Sequence, residues 1–290
     1  MKKFSLLYII LAGVLWGTSG IFVHFMAPLG FSSLHMTFLR ACTSCLLFGI
    51  YMLLSNIGLF KVKLSELLLY IGSGISFFMT ASCYYISMQA TSISTAVTLM
   101  YTSPVFVMLY SVIFFKEKLT KAKIVALSAM LLGCSLVSGI IGGLKFNLVG
   151  ILFGLLAGLS YTAYNIFTKI EMRRNCNAIQ ATFYCFTVAA LIGSFTCNVS
   201  QFSEIFIASP IATSALSLGI GIFTCISPYF LYTIALKHIP VGTASALSIL
   251  EPMSATIFSV LLFSEPLDLY SACGILLILS SVFLLSKADN

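Results

Sequence analysis

Charge is what this sequence has least of. Asp, Glu, Lys and Arg together make up 8% of 290 residues, while 60% are hydrophobic, against about 25% charge in an ordinary soluble domain. With a mean hydropathy of +1.08, a soluble fold is excluded. There is no Walker-type phosphate loop, which argues against transport driven by ATP on this chain. The three histidines His24, His35 and His238 lie near the ends of apolar runs without metal-site spacing. Most of the nine cysteines sit inside those runs, so neither a disulfide framework nor a zinc knuckle is implied. Basic and aromatic residues do not cluster as a nucleic-acid surface would require. No cofactor is expected.

What the sequence has in abundance is long apolar runs. Ten are long enough to cross a bilayer, which takes about 20 residues. They cover residues 4–26, 34–54, 67–88, 93–115 and 122–141, then 148–168, 178–198, 211–236, 243–263 and 269–286. Lys2 and Lys3 precede the first, but it continues without a small-residue cleavage site and reads as a retained span. Thirteen of the 15 basic residues, from Lys2 and Lys3 through Lys116, Lys169 and Arg173 to Lys287, fall on one side of such a ten-span chain. The other side holds only Lys145, and Arg40 lies within the second span. This asymmetry predicts an all-α integral membrane protein of the cell (inner) membrane with both termini in the cytoplasm. The net charge of +7 then reflects topology and attraction to anionic lipid.

The chain also repeats itself. A shift of 148 positions pairs Tyr84 with Tyr232, Pro104 with Pro252, Phe115 with Phe263 and Glu117 with Glu265. Chance matching of apolar residues would not align prolines and glutamates in one register. Two copies, residues 1–143 and 144–290, then carry five spans each. An odd number inverts the second copy, which predicts two inverted five-helix repeats around a central cavity.

Ser248-Ile249-Leu250-Glu251-Pro252 is the focus of the second copy. A carboxylate near a bilayer centre costs roughly 2.5–3.5 kcal/mol on insertion scales, so a chain that keeps one there usually uses it. Pro252 has no N–H for the Ser248 carbonyl, leaving a polar group for neighbouring protein or water to satisfy. The alternative is a proline kink with a packed, neutral glutamate. Pro104, Pro228 and Pro252 are expected to act as hinges. Arg40 enters its span from the outer side and lies roughly 9 Å deep, whereas Glu251 lies roughly 12 Å up from the inner side. In a core about 30 Å thick this leaves roughly 9 Å between their backbones. Arg40 could bridge that gap, snorkel outward or bond broken-helix carbonyls. Thr80, Tyr84, Thr98, Tyr101, Tyr161, Asn165, Tyr229, Tyr232 and Ser248 join Arg40 and Glu251 as candidate substrate-binding residues. They suit a small solute with an apolar part. Glu251 is in addition the candidate proton-coupling group. Gly13, Gly17, Gly150, Gly154 and Gly158 are read as packing within one monomer, with a homodimer as the alternative.

Trp16-Gly17, Phe38-Leu39-Arg40-Ala41, Pro104 followed by Glu117, and Glu251-Pro252 followed by Glu265 carry a resemblance. The chain resembles the EamA type of the drug/metabolite transporter superfamily over nearly its whole length. That resemblance implies a permease, many relatives being exporters of amino acids or other small metabolites. It also implies a cavity formed by the first four spans of each half, with the fifth and tenth at the periphery, and structural anchoring by Glu117 and Glu265. The sequence departs from the pattern at Ser160-Tyr161 and at Ser103, which stands where the first proline would follow a glutamate. One buried acid is therefore expected rather than two. The expected function is secondary transport by alternating access, coupled to protons through Glu251 or driven by the substrate gradient. A lipid or lipid-linked substrate translocase is the alternative. An intramembrane enzyme is disfavoured because no paired acid and base appears.

Overall fold

The computed structural model describes residues 2–139, 147–264 and 266–288. Every regular element among them is helical. The first half comprises α1 (Lys2–Gly17), α2 (Ser19–Met26), α3 (Ser33–Ser55), α4 (Leu64–Ala90), α5 (Ile93–Met100), α6 (Ser103–Phe114) and α7 (Lys121–Val137). The second comprises α8 (Leu148–Arg173), α9 (Ala178–Thr196), α10 (Val199–Ala208), α11 (Pro210–Gly221), α12 (Ser227–Ala235), α13 (Val241–Leu247), α14 (Leu250–Phe263) and α15 (Leu269–Ala288).

Capping residues set many of the starts. Ser92, Thr120, Asn147, Asn177 and Asn198 each accept a backbone N–H from the first turn of the helix they precede. Ser32 and His35 form a reciprocal capping box at α3. Eight rods, counting α1 with α2, α5 with α6, α11 with α12 and α13 with α14, are long and apolar enough to cross a bilayer. Left over among the α-helices are the short α10 between α9 and α11, α7, of 17 residues, and α15, whose apolar part is Leu269–Leu285. α7 and α15 pack on each other where glycines meet: a Cβ on Gly133 would lie 2.8 Å from the Gly274 carbonyl oxygen, and one on Gly274 would lie 2.6 Å from that of Gly133.

The packing has a regular plan. The larger contacts are α4 on α8, α4 and α3 on α9, α1 on α12 and α14, α5 on α8, α6 on α13 and α11 on α3. Exchanging each rod for its counterpart in the other half turns α4–α8 into α12–α1, α4–α9 into α11–α3, and α1–α14 into α8 against α5 and α6. It returns α3–α9, α6–α13 and α7–α15 to themselves. Glycines permit the tightest of these crossings. On α1, a Cβ at Gly13 would meet Leu250 at 2.8 Å and one at Gly17 would meet Ser254 at 2.5 Å. On α8, a Cβ at Gly150 would meet Thr91 at 2.5 Å and one at Gly154 would meet Leu99 at 2.6 Å. These small residues therefore serve contacts inside the chain.

Two rods break in the same place. α5 gives way to α6 at Tyr101 and Thr102, and α13 to α14 at Ser248 and Ile249. After each second half-helix a non-glycine residue takes a left-handed conformation, Lys116 with φ 55° and Ser264 with φ 54°. These two residues are 148 positions apart. Such conformations are rare without glycine, so the shared turn extends the sequence repeat to the backbone. The turn at Lys116 delivers Glu117, whose Oε1 accepts the Val241 N–H at 3.1 Å at the start of α13. Glu265, at the corresponding place in the second copy, lies outside the described residues, as do Lys145 and the boundary at residues 143 and 144.

Pro228 lies in the first turn of α12, directly after a π-helical turn at Ile222–Ile226. Wider turns of this kind commonly accommodate a proline or mark a functional bend. The counterpart rod α4 runs unbroken. Two features differ from sequence expectation. α8 continues past Thr168 to Arg173, and the connection after α9 folds into α10. There Phe202 packs edge-on against Phe31, His35 and Phe38.

Candidate functional site

Glu251 is the second residue of α14, where the helix dipole favours negative charge. Tyr101, buried at the break between α5 and α6, donates its hydroxyl to Glu251 Oε2 at 2.7 Å. The two broken rods thus touch through an acid from one and a phenol from the other. Pro252 leaves no orphan at Ser248, contrary to expectation, because the Glu251 N–H reaches the Ser248 carbonyl at 3.0 Å. The Ser248 hydroxyl donates to the Ser245 carbonyl at 2.7 Å, and Tyr161 lies beside it. Tyr84 lies within electrostatic reach of Glu251.

An aromatic box stands next to this pair. Tyr229 meets Trp16 at 5.1 Å, Phe77 at 5.4 Å, Phe186 at 5.4 Å and Tyr164 at 5.6 Å between ring centroids, all close to edge-on. Tyr232 meets Trp16 at 5.5 Å and donates its hydroxyl to Asn165 Oδ1. Asn165 in turn donates to the Tyr161 carbonyl at 2.6 Å. Edge-to-face rings of this kind hold one another rigidly. The indole Nε1 of Trp16 is buried and has no partner among the described residues.

Arg40 approaches from α3. Its Nε is buried, and no hydrogen bond or ion pair joins its guanidinium to any described residue. It is nevertheless near enough for its charge to act on Tyr229, Cys225 and Glu251. Arg40 and Glu251 thus share one electrostatic environment without forming a salt bridge. Of the remaining candidates, Thr98 has a buried, unpartnered hydroxyl. Thr80 donates to the Ser76 carbonyl of its own helix at 2.7 Å, and no contact brings it to the Glu251 group. Phe77, absent from the sequence-based candidates, shares a helix face with Thr80 and Tyr84 by its three- and seven-residue spacing.

The expectation of a single buried acid is overturned. Glu171, which the shorter sixth span left in a loop, is 1% exposed in the last turns of α8. Its neighbour Lys169 is also buried, and its ammonium donates to the carbonyls of Leu236 and Ile239 at 2.7 Å each. Those carbonyls lie where α12 ends, so Lys169 and Glu117 together tie down the connection between α12 and α13.

A bundle of apolar rods with two interrupted helices meeting at an acid, and an unpaired arginine nearby, is the architecture of a membrane transporter. The chain belongs to the EamA-like transporter family, whose model matches residues 3–139 and 148–287. It is 29% identical over 278 residues to an uncharacterized transporter of Archaeoglobus fulgidus, covering 95% of this chain and 94% of that one. It is 25% identical over 297 residues to the uncharacterized transporter YxxF of Bacillus subtilis, covering 98% and 89%. A solved crystal structure shares the fold with a TM-score of 0.80 at 16% identity, over 98% of this chain and 97% of that one.

Proposed function

We propose that this membrane transporter is a secondary permease that exports small organic metabolites, amino acids foremost, by alternating access. In this reading all ten rods cross the inner membrane, as inverted repeats of residues 1–143 and 144–290 with both termini cytoplasmic. The symmetric packing plan and the paired left-handed turns support it. So does the common break of the two central rods, which gives a bundle two related arrangements.

The observation that carries the substrate class is the separation of Arg40 from Glu251. Two opposite charges in one apolar setting would gain from pairing, yet here they stay apart beside an aromatic box. A zwitterion supplies what each lacks, a carboxylate for the guanidinium and an ammonium for Glu251, while the box takes an apolar or aromatic side chain. Glu251 is also the group through which protons would couple.

Uptake of labelled aromatic and branched amino acids into proteoliposomes tests this. Arg40→Ala and Glu251→Gln are each expected to lower flux at least about tenfold, the scale of one charge-assisted hydrogen bond. N-acetylated and amidated substrates should fail to compete. Undiminished flux in both variants would reject the site, and undiminished flux in Glu251→Gln across pH would remove both the ammonium-binding and the proton role of Glu251.

A further inference from the structure

Away from the Glu251 group, the buried end of α8 frames a small hollow with room for a single water-sized guest. Four rods contribute to its lining: Ser73 from α4, Thr168 and Glu171 from α8, Thr182 from α9 and Thr233 from α12. Glu171 Oε1 is buried there without a hydrogen-bond partner among the described residues. Three of the four hydroxyls around it are in donating position to carbonyls of their own helices. Ser73 is in donating position to the Tyr70 carbonyl at 3.0 Å, Thr168 to that of Tyr164 at 2.9 Å, and Thr182 to that of Ala178 at 2.7 Å.

A hydroxyl has one hydrogen and two lone pairs. With their hydrogens on their own helices, Thr168 and Thr182 turn acceptor lone pairs to the hollow, while Ser73 also lies within hydrogen-bonding reach of the Glu171 carboxyl. A carboxylate and three hydroxyl oxygens around a water-sized space form the donor set of a small, hard cation. No basic side chain supplies the missing positive charge. Lys169, two residues away, is bound to carbonyls of Leu236 and Ile239, and Arg173 lies 5.0 Å over the ring of Phe115. The other titratable groups near Glu171 are Tyr70 on α4, Tyr164 on α8, Cys185 on α9 and Cys176 in the loop between α8 and α9. None of these is cationic.

We infer that the Glu171 hollow is a site for a monovalent cation, either sodium held by these oxygens or a proton held on the carboxyl. It is separate from the site of Arg40 and Glu251. Because it joins α4 and α8 to α9 and α12, its occupancy would set how firmly these rods close on one another. That the cation drives transport rests on the permease reading; that it binds does not.

Carbodiimide modification of Glu171 in the intact purified protein, quantified by mass spectrometry, reads the site in the wild type. If sodium is the ligand, sodium chloride lowers labelling severalfold and saturably at fixed pH, where choline chloride at equal ionic strength does not. If the proton is the ligand, labelling is indifferent to sodium and persists to higher pH at Glu171 than at Glu66, because carbodiimide attacks the protonated form of every carboxyl. In either case the melting temperature should depend on that cation, and Glu171→Gln should abolish the dependence while Glu66→Gln on the exposed start of α4 keeps it. Should the glutamine variant fail to fold, Thr182→Val should weaken the apparent cation affinity severalfold. Labelling at Glu171 that ignores sodium and falls with pH as it does at Glu66, or a melting response that survives Glu171→Gln, would overturn the inference. These readouts need no transported substrate, so they stand or fall apart from the permease assignment.

Discussion

The two broken rods are built alike and held differently. In α13 and through the break to Leu250, every residue is buried. Its first N–H is bound by Glu117, and the carbonyls just before it are bound by Lys169. In α5 the first residue, Ile93, is 64% exposed, and Val97 to Met100 are only half-buried. The breaks also differ in chemistry. One presents Glu251, and the other presents Tyr101 with Ser103, whose buried hydroxyl has no partner among the described residues. The lesson is that two breaks of the same backbone plan can sit in unlike settings: the start of α13 is held by Glu117 and Lys169, while the start of α5 is partly exposed. An alternating mechanism requires that contrast to be reversible.

The comparison can be broken most severely through the glycines. A Cβ at Gly17 would sit 2.5 Å from the Ser254 Cβ and 2.9 Å from the Ala255 backbone nitrogen, so the backbone of α14 itself would have to shift. Gly17→Ala should cost on the order of 1–3 kcal/mol and show as lost yield of folded protein on size-exclusion chromatography. Gly20→Ala, with open space around it, should be tolerated. Of the same size is Tyr101→Phe, which takes from Glu251 the hydrogen bond that Tyr101 on the other broken rod supplies. A bond to an ionised group is worth about 1.5–3 kcal/mol, so substrate affinity or flux should change by roughly tenfold or more. Tyr84→Phe, whose ring carries no such bond, should change it less.

Glu117→Gln probes the fastening of α13. Losing a charged cap at a helix start costs about 1 kcal/mol. The melting temperature should fall by a few degrees, and labelling of cysteines placed at the start of α13 should increase. The smallest effect belongs to Ser103→Ala. Its hydroxyl is buried and unpartnered, so removing it should leave stability within about 0.5 kcal/mol of the wild type. Ser103→Glu, which would put an acid in front of Pro104, should by contrast be poorly folded, because the position is fully buried and an isolated charge there is costly to bury.

Much of this architecture was legible from the chain alone. Apolar runs of bilayer length, Pro104 and Pro252 in one register, and the isolated charges Arg40 and Glu251 are local features. They locate the long apolar helices, the two breaks and the acid at which the broken rods meet without knowledge of packing. What escaped was decided by neighbours. Glu171 sits in a stretch with Lys169, Arg173 and Arg174 that looks like a polar loop. Only the extension of α8 against α4, α9 and α12 buries it. Likewise Thr80 has the residue type of a binding group, but its hydroxyl turns to its own helix, a local choice that composition does not reveal. The Ser248 carbonyl shows the converse, since a tighter turn at Glu251 satisfied a group that Pro252 alone would orphan.

The central claim is that the contrast between α5 and α13 inverts during transport. Cysteines placed singly at Ile93 and Val241, in a Cys273→Ser background reconstituted into proteoliposomes, can be labelled with an impermeant maleimide from either face. The account predicts fast labelling at residue 93 from one face and protection at residue 241 in the resting protein. During transport of an aromatic amino acid, labelling at residue 93 should slow while residue 241 becomes reactive from the opposite face. Reactivities that stay unchanged at both positions while substrate crosses, or that rise together from the same face, would contradict it.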